Sequence, residues 1–470
     1  MIRTAIAGLA LGLLAPAVAA GQVPTTDLGV PWTAAQVAAL DAEIDRRLSG
    51  PAIRGAHLGF YAIDTNRGTV LYARGAEEGF VPASTLKLVT GSTAIARLGK
   101  DFRFHTSIVA NVTAPDAIDG DVVLRGGGDP LLRASDIDAA AATIAARGVR
   151  AIHGGIAIDV SAFDRVPYAP GWMIEDIPYD FSAIVSGVML EENTVTVHVA
   201  AATSAGAPAT LGITPLTSAI VLENATVTGV AGSEDTLDVQ RDGSAIRITG
   251  SIPAGKEETI AAAVPDPVAY ATDVFARALV THGVTFDPPQ VVPHILSAAV
   301  PNATVLWTHD SDPLVRLLQW FWPHSDNLVG EALLKTLALS ARGAPGTSAG
   351  GVAVEQAFLR GTGIDPATLA IVDGSGLSRY DAITPRAYVT LMQSDWNGPN
   401  RQIFLDALPR VEERVYAKSG SMTHVWNLAG FVMTKRHGPV TFALMCDNFV
   451  GSMDALRAAE AAIFSRVVDG

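Results

Sequence analysis

The sequence predicts a mixed α/β chain of the α+β kind, with an antiparallel sheet flanked by helices and split by a large β-rich insertion. Three observations carry this. Two strand-like runs, Leu58 to Ile63 and Val70 to Ala73, stand near the start. Three more, around Arg414 to Lys418, Asn427 to Met433 and Val440 to Cys446, stand near the end. Between about Phe104 and Pro293 the texture changes to short β-rich runs broken by turns. Terminal strands with helices beside them fit one antiparallel layer covered by helices. At 470 residues and 49% hydrophobic, the chain is too long for one ordinary domain and too apolar for disorder.

The elements follow in order. Met1-Ile2-Arg3, the apolar stretch Ala5 to Leu14 and the small residues Ala17 to Ala20 predict a signal peptide over 1–20, too short to span a bilayer. The mature chain is expected outside the cytoplasm, with no integral membrane segment after cleavage. Thr33 to Leu48 has helical periodicity through Val37, Leu40 and Ile44. Asp64-Thr65-Asn66-Arg67-Gly68 turns the first two strands into a hairpin. Pro82 precedes a helix from about Ser84 to Leu98. Inside the insertion, strands are expected at 121–124, 152–159, 194–199, 219–222, 236–240 and 245–249, and helices at 135–146 and 267–282. Pro288, Pro289 and Pro293 mark the return. Helices then read at 314–322, 326–341, 352–359 and 453–466. The expected division is 21–103 with 294–470 as one domain, and 104–293 as two small modules, 104–125 with 185–293 and 126–184.

Composition excludes several functions. Asp and Glu number 47 against 33 Lys and Arg, a net charge of −14 that repels phosphate backbones and argues against nucleic acid. Cys446 is the only cysteine, so no internal disulfide forms, and its apolar run reads as a buried thiol. The His residues lack paired metal spacing, and HExxH, CxxC and Walker patterns are absent. No metal and no cofactor are expected.

Lysine is scarce: Lys87, Lys100, Lys256, Lys335, Lys418 and Lys435 are the whole set. Lysine, unlike arginine, loses its proton when burial lowers its pKa. Ser84-Thr85-Leu86-Lys87 puts the two side chains on one helical face, where a neutral Lys87 accepts the Ser84 proton. Free N–H groups of a first helical turn favour the anion that develops. Alone, the pattern also reads as a capping serine and a surface lysine. Ser325-Asp326-Asn327 precedes an apolar helix and reads either as a cap, with Glu331 adding charge to the first turns, or as a proton relay (Ser325) with an amide donor (Asn327). Lys418-Ser419-Gly420 ends a strand-like run. It offers a cation, a hydroxyl and a glycine that lets a ligand approach the backbone, or simply a turn.

Together, S-x-x-K, S-D-N and K-[ST]-G stand in the order used by penicillin-recognising serine acyltransferases. Ser84 and Ser325 are 241 residues apart, far more than a β-lactamase accommodates. With Gly127-Gly128-Asp129-Pro130-Leu131, Asp373-Gly374-Ser375-Gly376-Leu377-Ser378-Arg379 and Leu428-Ala429-Gly430-Phe431, the chain resembles the D-alanyl-D-alanine carboxypeptidase/endopeptidase family of penicillin-binding protein 4 type, the class C low-molecular-weight enzymes. The resemblance implies a penicillin-recognising serine transpeptidase fold and a periplasmic location, free or loosely attached to the membrane. It implies hydrolysis of D-Ala-D-Ala in peptidoglycan stem peptides, with cleavage of D-Ala-diaminopimelate cross-links as a second reaction and β-lactams as covalent inhibitors. Carried over, Ser84 is the acylated nucleophile and Lys87 its base. Ser325 and Lys418 assist proton transfer to the leaving D-alanine, and Asn327 orients the peptide amide. Lys418 and Ser419 hold the terminal carboxylate. The N–H groups of Ser84 and Ser421 form the oxyanion hole, worth about 3–4 kcal/mol per donor in comparable hydrolases.

The common K-T-G is K-S-G here, which keeps the hydroxyl and loses a methyl. The run Met422 to Asn427 has no assigned role, and His424 reads as packing. Asp176 and Arg379 are expected at the cleft, an acid for the amine of a diaminopimelate side chain and a guanidinium for its carboxylate, or else as a surface ion pair. A β-lactamase or esterase on the same plan would need an E-x-x-L-N type deacylating segment, and none stands out. A non-catalytic cell-wall binding protein would be free to lose Ser84 or Lys87, yet both are present.

Overall fold

The computed structural model describes residues 28–50, 53, 55–289, 291–296 and 303–470. The expected signal peptide lies outside them. No helix among the described residues is long and apolar enough to cross a membrane.

A six-stranded antiparallel sheet organises the part of the chain outside the insertion. Its order is Arg410–Glu412, Val415–Met422, Val425–Met433, Pro439–Asp447, His57–Asp64 and Val70–Arg74. The two ends of the chain thus meet in one layer, as the terminal strand signals required. The central strands are buried on both faces, so they read as continuous apolar runs. Period two still sorts their side chains. Leu58, Phe60, Trp426, Leu428, Phe442 and Leu444 pack under helices α1 (Ala34–Leu48) and α10 (Met453–Asp469). Tyr61, Ile63, Ala429, Phe431, Ala443 and Met445 face the opposite helical layer. Cys446 lies buried on the α1 and α10 side, where desolvation pushes its thiol up to about 12.

The opposite layer begins with α2 (Lys87–Leu98). The helix predicted from Ser84 instead enters through a 3₁₀ turn, Ala83–Leu86. The insertion carries α3 (Ala134–Ala146) and α4 (Pro267–Thr281). The helical layer resumes with α5 (Leu314–His324), α6 (Asn327–Arg342), α7 (Ser348–Gly361), α8 (Pro385–Asn397) and α9 (Arg401–Ala407). Trp322 of α5 sits against Gly91 of α2 and donates from its indole N–H to the Lys87 carbonyl at 2.9 Å, which explains the glycine in mid-helix.

Strand pairing in the inserted region crosses the expected boundaries of 104–125 with 185–293 and 126–184. Val122–Arg125 pairs in parallel with Ile156–Asp159, and parallel pairing needs a crossover, here α3. A boundary at 125 would cut this unit. The same five-stranded sheet includes Thr304–Asp310, paired with His105–Ala110, so the insertion's sheet runs on to residue 310 rather than closing at 293. The run expected as one strand over 152–159 breaks at Gly154-Gly155 into pieces in two sheets, Ala151–His153 and Ile156–Asp159. Residues 194–263 form two three-stranded sheets of their own.

Candidate active site

Ser84 stands in the 3₁₀ turn that precedes α2. Ala83 before it is held at φ 46°, a left-handed conformation that costs a residue with a Cβ about 1–3 kcal/mol. Surrounding groups enforce this. The Asn427 amide donates to the carbonyls of Val81 and Pro82, both at 2.8 Å, while its oxygen accepts the Cys446 N–H at 3.1 Å. Asp447 accepts the Val81 N–H at 2.9 Å. The Thr85 hydroxyl bonds Pro82 O at 2.6 Å and Tyr388 Oη at 2.9 Å. Gly376 presses on Ala83, where a Cβ would stand 1.9 Å from its carbonyl oxygen.

Lys87, one turn on, is completely buried. Its Nζ donates to Ser84 Oγ at 2.9 Å, to Asn327 Oδ1 at 2.6 Å and to Ser375 O at 2.7 Å. Desolvation lowers its pKa to about 8, against the pull of Asp373, Asp326 and Glu331. The amine therefore gives up its proton near neutrality.

Ser325 and Asn327 come from the junction of α5 and α6. Ser325 takes the left-handed conformation (φ 57°) that ends α5, and Asp326 caps α6 through the Val329 N–H at 3.0 Å. Lys418 lies on the Val415–Met422 strand. Because Val415 and Ala417 face α1 and α10, period two turns Lys418 and Gly420 toward Ser84. Lys418 Nζ donates to Ser325 Oγ at 2.9 Å and to Ser419 O at 2.9 Å. Its pKa falls well below the ordinary value through burial, and further through the charge of Lys87. The Gly420 backbone passes so close that an added Cβ would lie 2.6 Å from Pro82 O and 3.0 Å from Ser84 N. The Ala417 N–H points to the outer edge, toward Pro409 O. By alternation, the N–H groups of Ser419 and Ser421 point the same way, off the ladder with Val425–Met433.

All three motifs therefore converge. The insertion adds one wall of the cleft along 170–181. Ser378 Oγ donates to Pro170 O at 2.7 Å, Trp172 Nε1 to Asp373 at 3.0 Å, and Asn327 Nδ2 to Phe181 O at 2.8 Å. Asp176 and Arg379 both line this wall, half-buried. They are not the surface ion pair that one reading allowed. Arg379 contacts Met173 Sδ and Thr423 O, each at 3.3 Å, and its charge lowers an Asp176 pKa that burial and then Glu175 raise. His424 is exposed at φ 63° and bonds Phe449 O at 2.8 Å.

Sequence reasoning missed the groups that act through the backbone or from below. Ser375 meets Lys87 through its carbonyl. Asp373 organises the loop by accepting N–H groups of Ser375, Gly376 and Ser378. Asn427 and Asp447 brace the Ser84 turn from the sheet. Glu331, read only as a charge in the first turns of a helix, is 1% exposed and accepts the Gly374 N–H at 2.8 Å. Its place one turn from Asn327 on a helix buried all round carries it inward.

The arrangement can acylate a hydroxyl. It holds an alcohol against a deprotonatable amine, and a second amine bridged to a serine hydroxyl. Comparison with known proteins agrees. The model of the D-Ala-D-Ala carboxypeptidase 3 (S13) family matches residues 40–466. A D-alanyl-D-alanine carboxypeptidase of Actinomadura sp. strain R39 is 34% identical over 89% of this chain and 82% of its own. The carboxypeptidase DacB of Haemophilus influenzae is 23% identical over 84% of this chain and 86% of its own. The crystal structure of penicillin binding protein 4 from that organism shares the fold, with a TM-score of 0.79 at 21% identity over 92% of this chain and 99% of that one.

Proposed function

The chain belongs to the D-Ala-D-Ala carboxypeptidase 3 (S13) family and is a serine DD-peptidase, and from that premise we propose that it works through an acyl-enzyme on Ser84. The observation that carries this is the Lys87 amine, 2.9 Å from Ser84 Oγ and with its pKa brought to about 8 by burial.

Two buried amines stand near each other, and each resists a second charge. A stem peptide brings its terminal carboxylate to Lys418 and Ser419. That anion favours the ammonium on Lys418 and leaves Lys87 neutral. Lys87 takes the Ser84 proton as Oγ attacks the penultimate D-Ala carbonyl. The N–H groups of Ser84 and Ser421 hold the oxyanion. Ser325 gives its proton to the departing D-Ala nitrogen and is refilled from Lys418, with which it shares the 2.9 Å bond. Water then breaks the ester. Its proton goes to Lys418 through Ser325, and Lys87 returns the first proton to Ser84 Oγ. Asn327 orients the peptide amide while its own oxygen keeps Lys87 in place. β-Lactams enter at the same serine and stop at the acyl stage. A structure of penicillin binding protein 4 from H. influenzae complexed with a β-lactam supports that reading.

The wall along 170–181 supports recognition of a diaminopimelate side chain by Asp176 and Arg379, with cross-link cleavage as a second reaction. The enzyme is exported to the periplasm and meets peptidoglycan there. Release of D-alanine from a stem pentapeptide tests the proposal. Wild type releases it and Ser84→Ala does not; equal release by both contradicts it.

A further inference from the structure

Around the Lys87 amine lies a set of buried carboxyls that the acylation steps leave unused. Glu331 on α6 is 1% exposed, Glu355 on α7 and Asp373 are fully buried, and Asp381 is 1% exposed. The geometry singles out Glu331. It follows Asn327 by four residues, so both project from one face of α6. Asn327 gives Lys87 its Oδ1 directly at 2.6 Å. Glu331 accepts the Gly374 N–H at 2.8 Å, and the next carbonyl along, Ser375 O, takes Lys87 at 2.7 Å. Helix and loop touch through their backbones here. A Cβ on Gly374 would lie 2.5 Å from Gly330 O, and one on Gly330 would lie 2.8 Å from Gly374 O. Thr90, one turn beyond Lys87 on α2, ties the same residue through Gly374 O at 2.8 Å.

The charges around Glu331 are unbalanced. Lys335, which shares its helix, is committed to Asp164 at 2.6 Å and to Val166 O at 3.0 Å. Lys87 spends its bonds on Ser84, Asn327 and Ser375. Among the described residues, neither lysine bonds Glu331. The other neighbours are acids. Asp373 collects N–H groups from Ser375, Gly376, Ser378 and Trp172. Glu355 has both oxygens outside hydrogen-bond geometry, the state a buried carboxyl tolerates only when uncharged. Burial, with Asp373 next, pushes Glu331 up to about 8 and Asp381 up to about 10, and burial holds Glu355 well above the carboxylate range.

We propose that Glu331 is the positioning residue of the Lys87 base: an uncharged carboxyl that pins the Asp373–Ser378 loop to α6, fixing Asn327 Oδ1 and Ser375 O around the amine together. An acceptor without a full negative charge adds least to the pull that Asp373 and Asp326 already exert on the Lys87 proton. The inference rests on the reading of Lys87 as the base for Ser84.

Acylation of the full-length protein by benzylpenicillin, followed against pH, tests it. Glu331→Gln keeps the acceptor without charge, so it acylates at the wild-type rate with an unmoved acid limb. Glu331→Asp withdraws the acceptor by one methylene. It lowers the limiting acylation rate about tenfold or more and moves the acid limb, with the half-saturating penicillin concentration unchanged. A purely structural role would lower only the melting temperature. The inference is overturned if Glu331→Gln shifts the acid limb by a pH unit, or if a folded Glu331→Asp matches wild type. Should Glu331→Asp fail to fold, the Glu331→Gln limb decides alone. Failure of wild type itself to acylate would refute the DD-peptidase reading instead.

Discussion

Substituting Gly420 with alanine forces apart the Lys418 strand and the Ser84 turn at a close backbone contact. The new Cβ would stand 2.6 Å from Pro82 O, 2.8 Å from Thr85 N and 3.0 Å from Ser84 N, whereas ordinary contact begins at 3.4 Å. None of these atoms belongs to a flexible side chain. Pro82 O is held further by the Asn427 amide and the Thr85 hydroxyl. The Lys418-bearing strand must therefore retreat from the Ser84 turn by about 0.8 Å at the tightest point. Overpacking of this kind costs about 1–3 kcal/mol of stability, which a chain with cores this large survives. The larger effect is on chemistry. The Ser421 N–H, the proposed oxyanion donor, moves with the strand, and losing one such donor costs about 10²–10³ in rate. Stopped-flow acylation by a fluorescent penicillin, with circular dichroism to confirm folding, reads this. Folded Gly420→Ala acylating at the wild-type rate would refute the convergence of the strand and the serine turn.

Two further outcomes follow from the same geometry. In wild type, the acylating species is neutral Lys87. Its pKa is lowered to about 8, so the acylation rate rises about tenfold per pH unit on the acid side of that value and turns down again where Lys418, its own pKa lowered by burial, gives up the proton that refills Ser325; a flat profile from pH 6 to 9 would remove Lys87 as the base. Asp176→Ala should weaken hydrolysis of diaminopimelate-type peptides more than of peptides ending the side chain in an uncharged group, read as kcat/KM; equal loss on both, or none, rejects the recognition role.

The parts of the site legible in the sequence were those carried by side chains at fixed local spacing. Ser84 and Lys87 share a face because they are three residues apart, and Lys418 and Gly420 share one because they are two apart on a strand. Ser325-Asp326-Asn327 was ambiguous because a helix cap and a catalytic triplet use the same polar letters. In the structure Asp326 caps α6, and its neighbours Asn327 and Ser325 meet the two lysines. Ser375 was out of reach because its carbonyl does the work, and any residue has one. The burial of Glu331 was not legible, because the polar start of a helix is normally solvated, whereas α6 is buried on every side over its first three turns. The sheet ends were legible from apolar runs. The insertion's partition was not, because Val122–Arg125 pairs with Ile156–Asp159 and Thr304–Asp310 with His105–Ala110 across long stretches of chain.

The central claim is that Ser84 is the hydroxyl that becomes acylated. Intact-mass spectrometry after benzylpenicillin, with peptide mapping of the adduct, tests it most directly. Wild type should gain one penicilloyl group on the peptide containing Ser84, and Ser84→Ala should gain none. An adduct that persists in Ser84→Ala, or that maps to another peptide, contradicts the account.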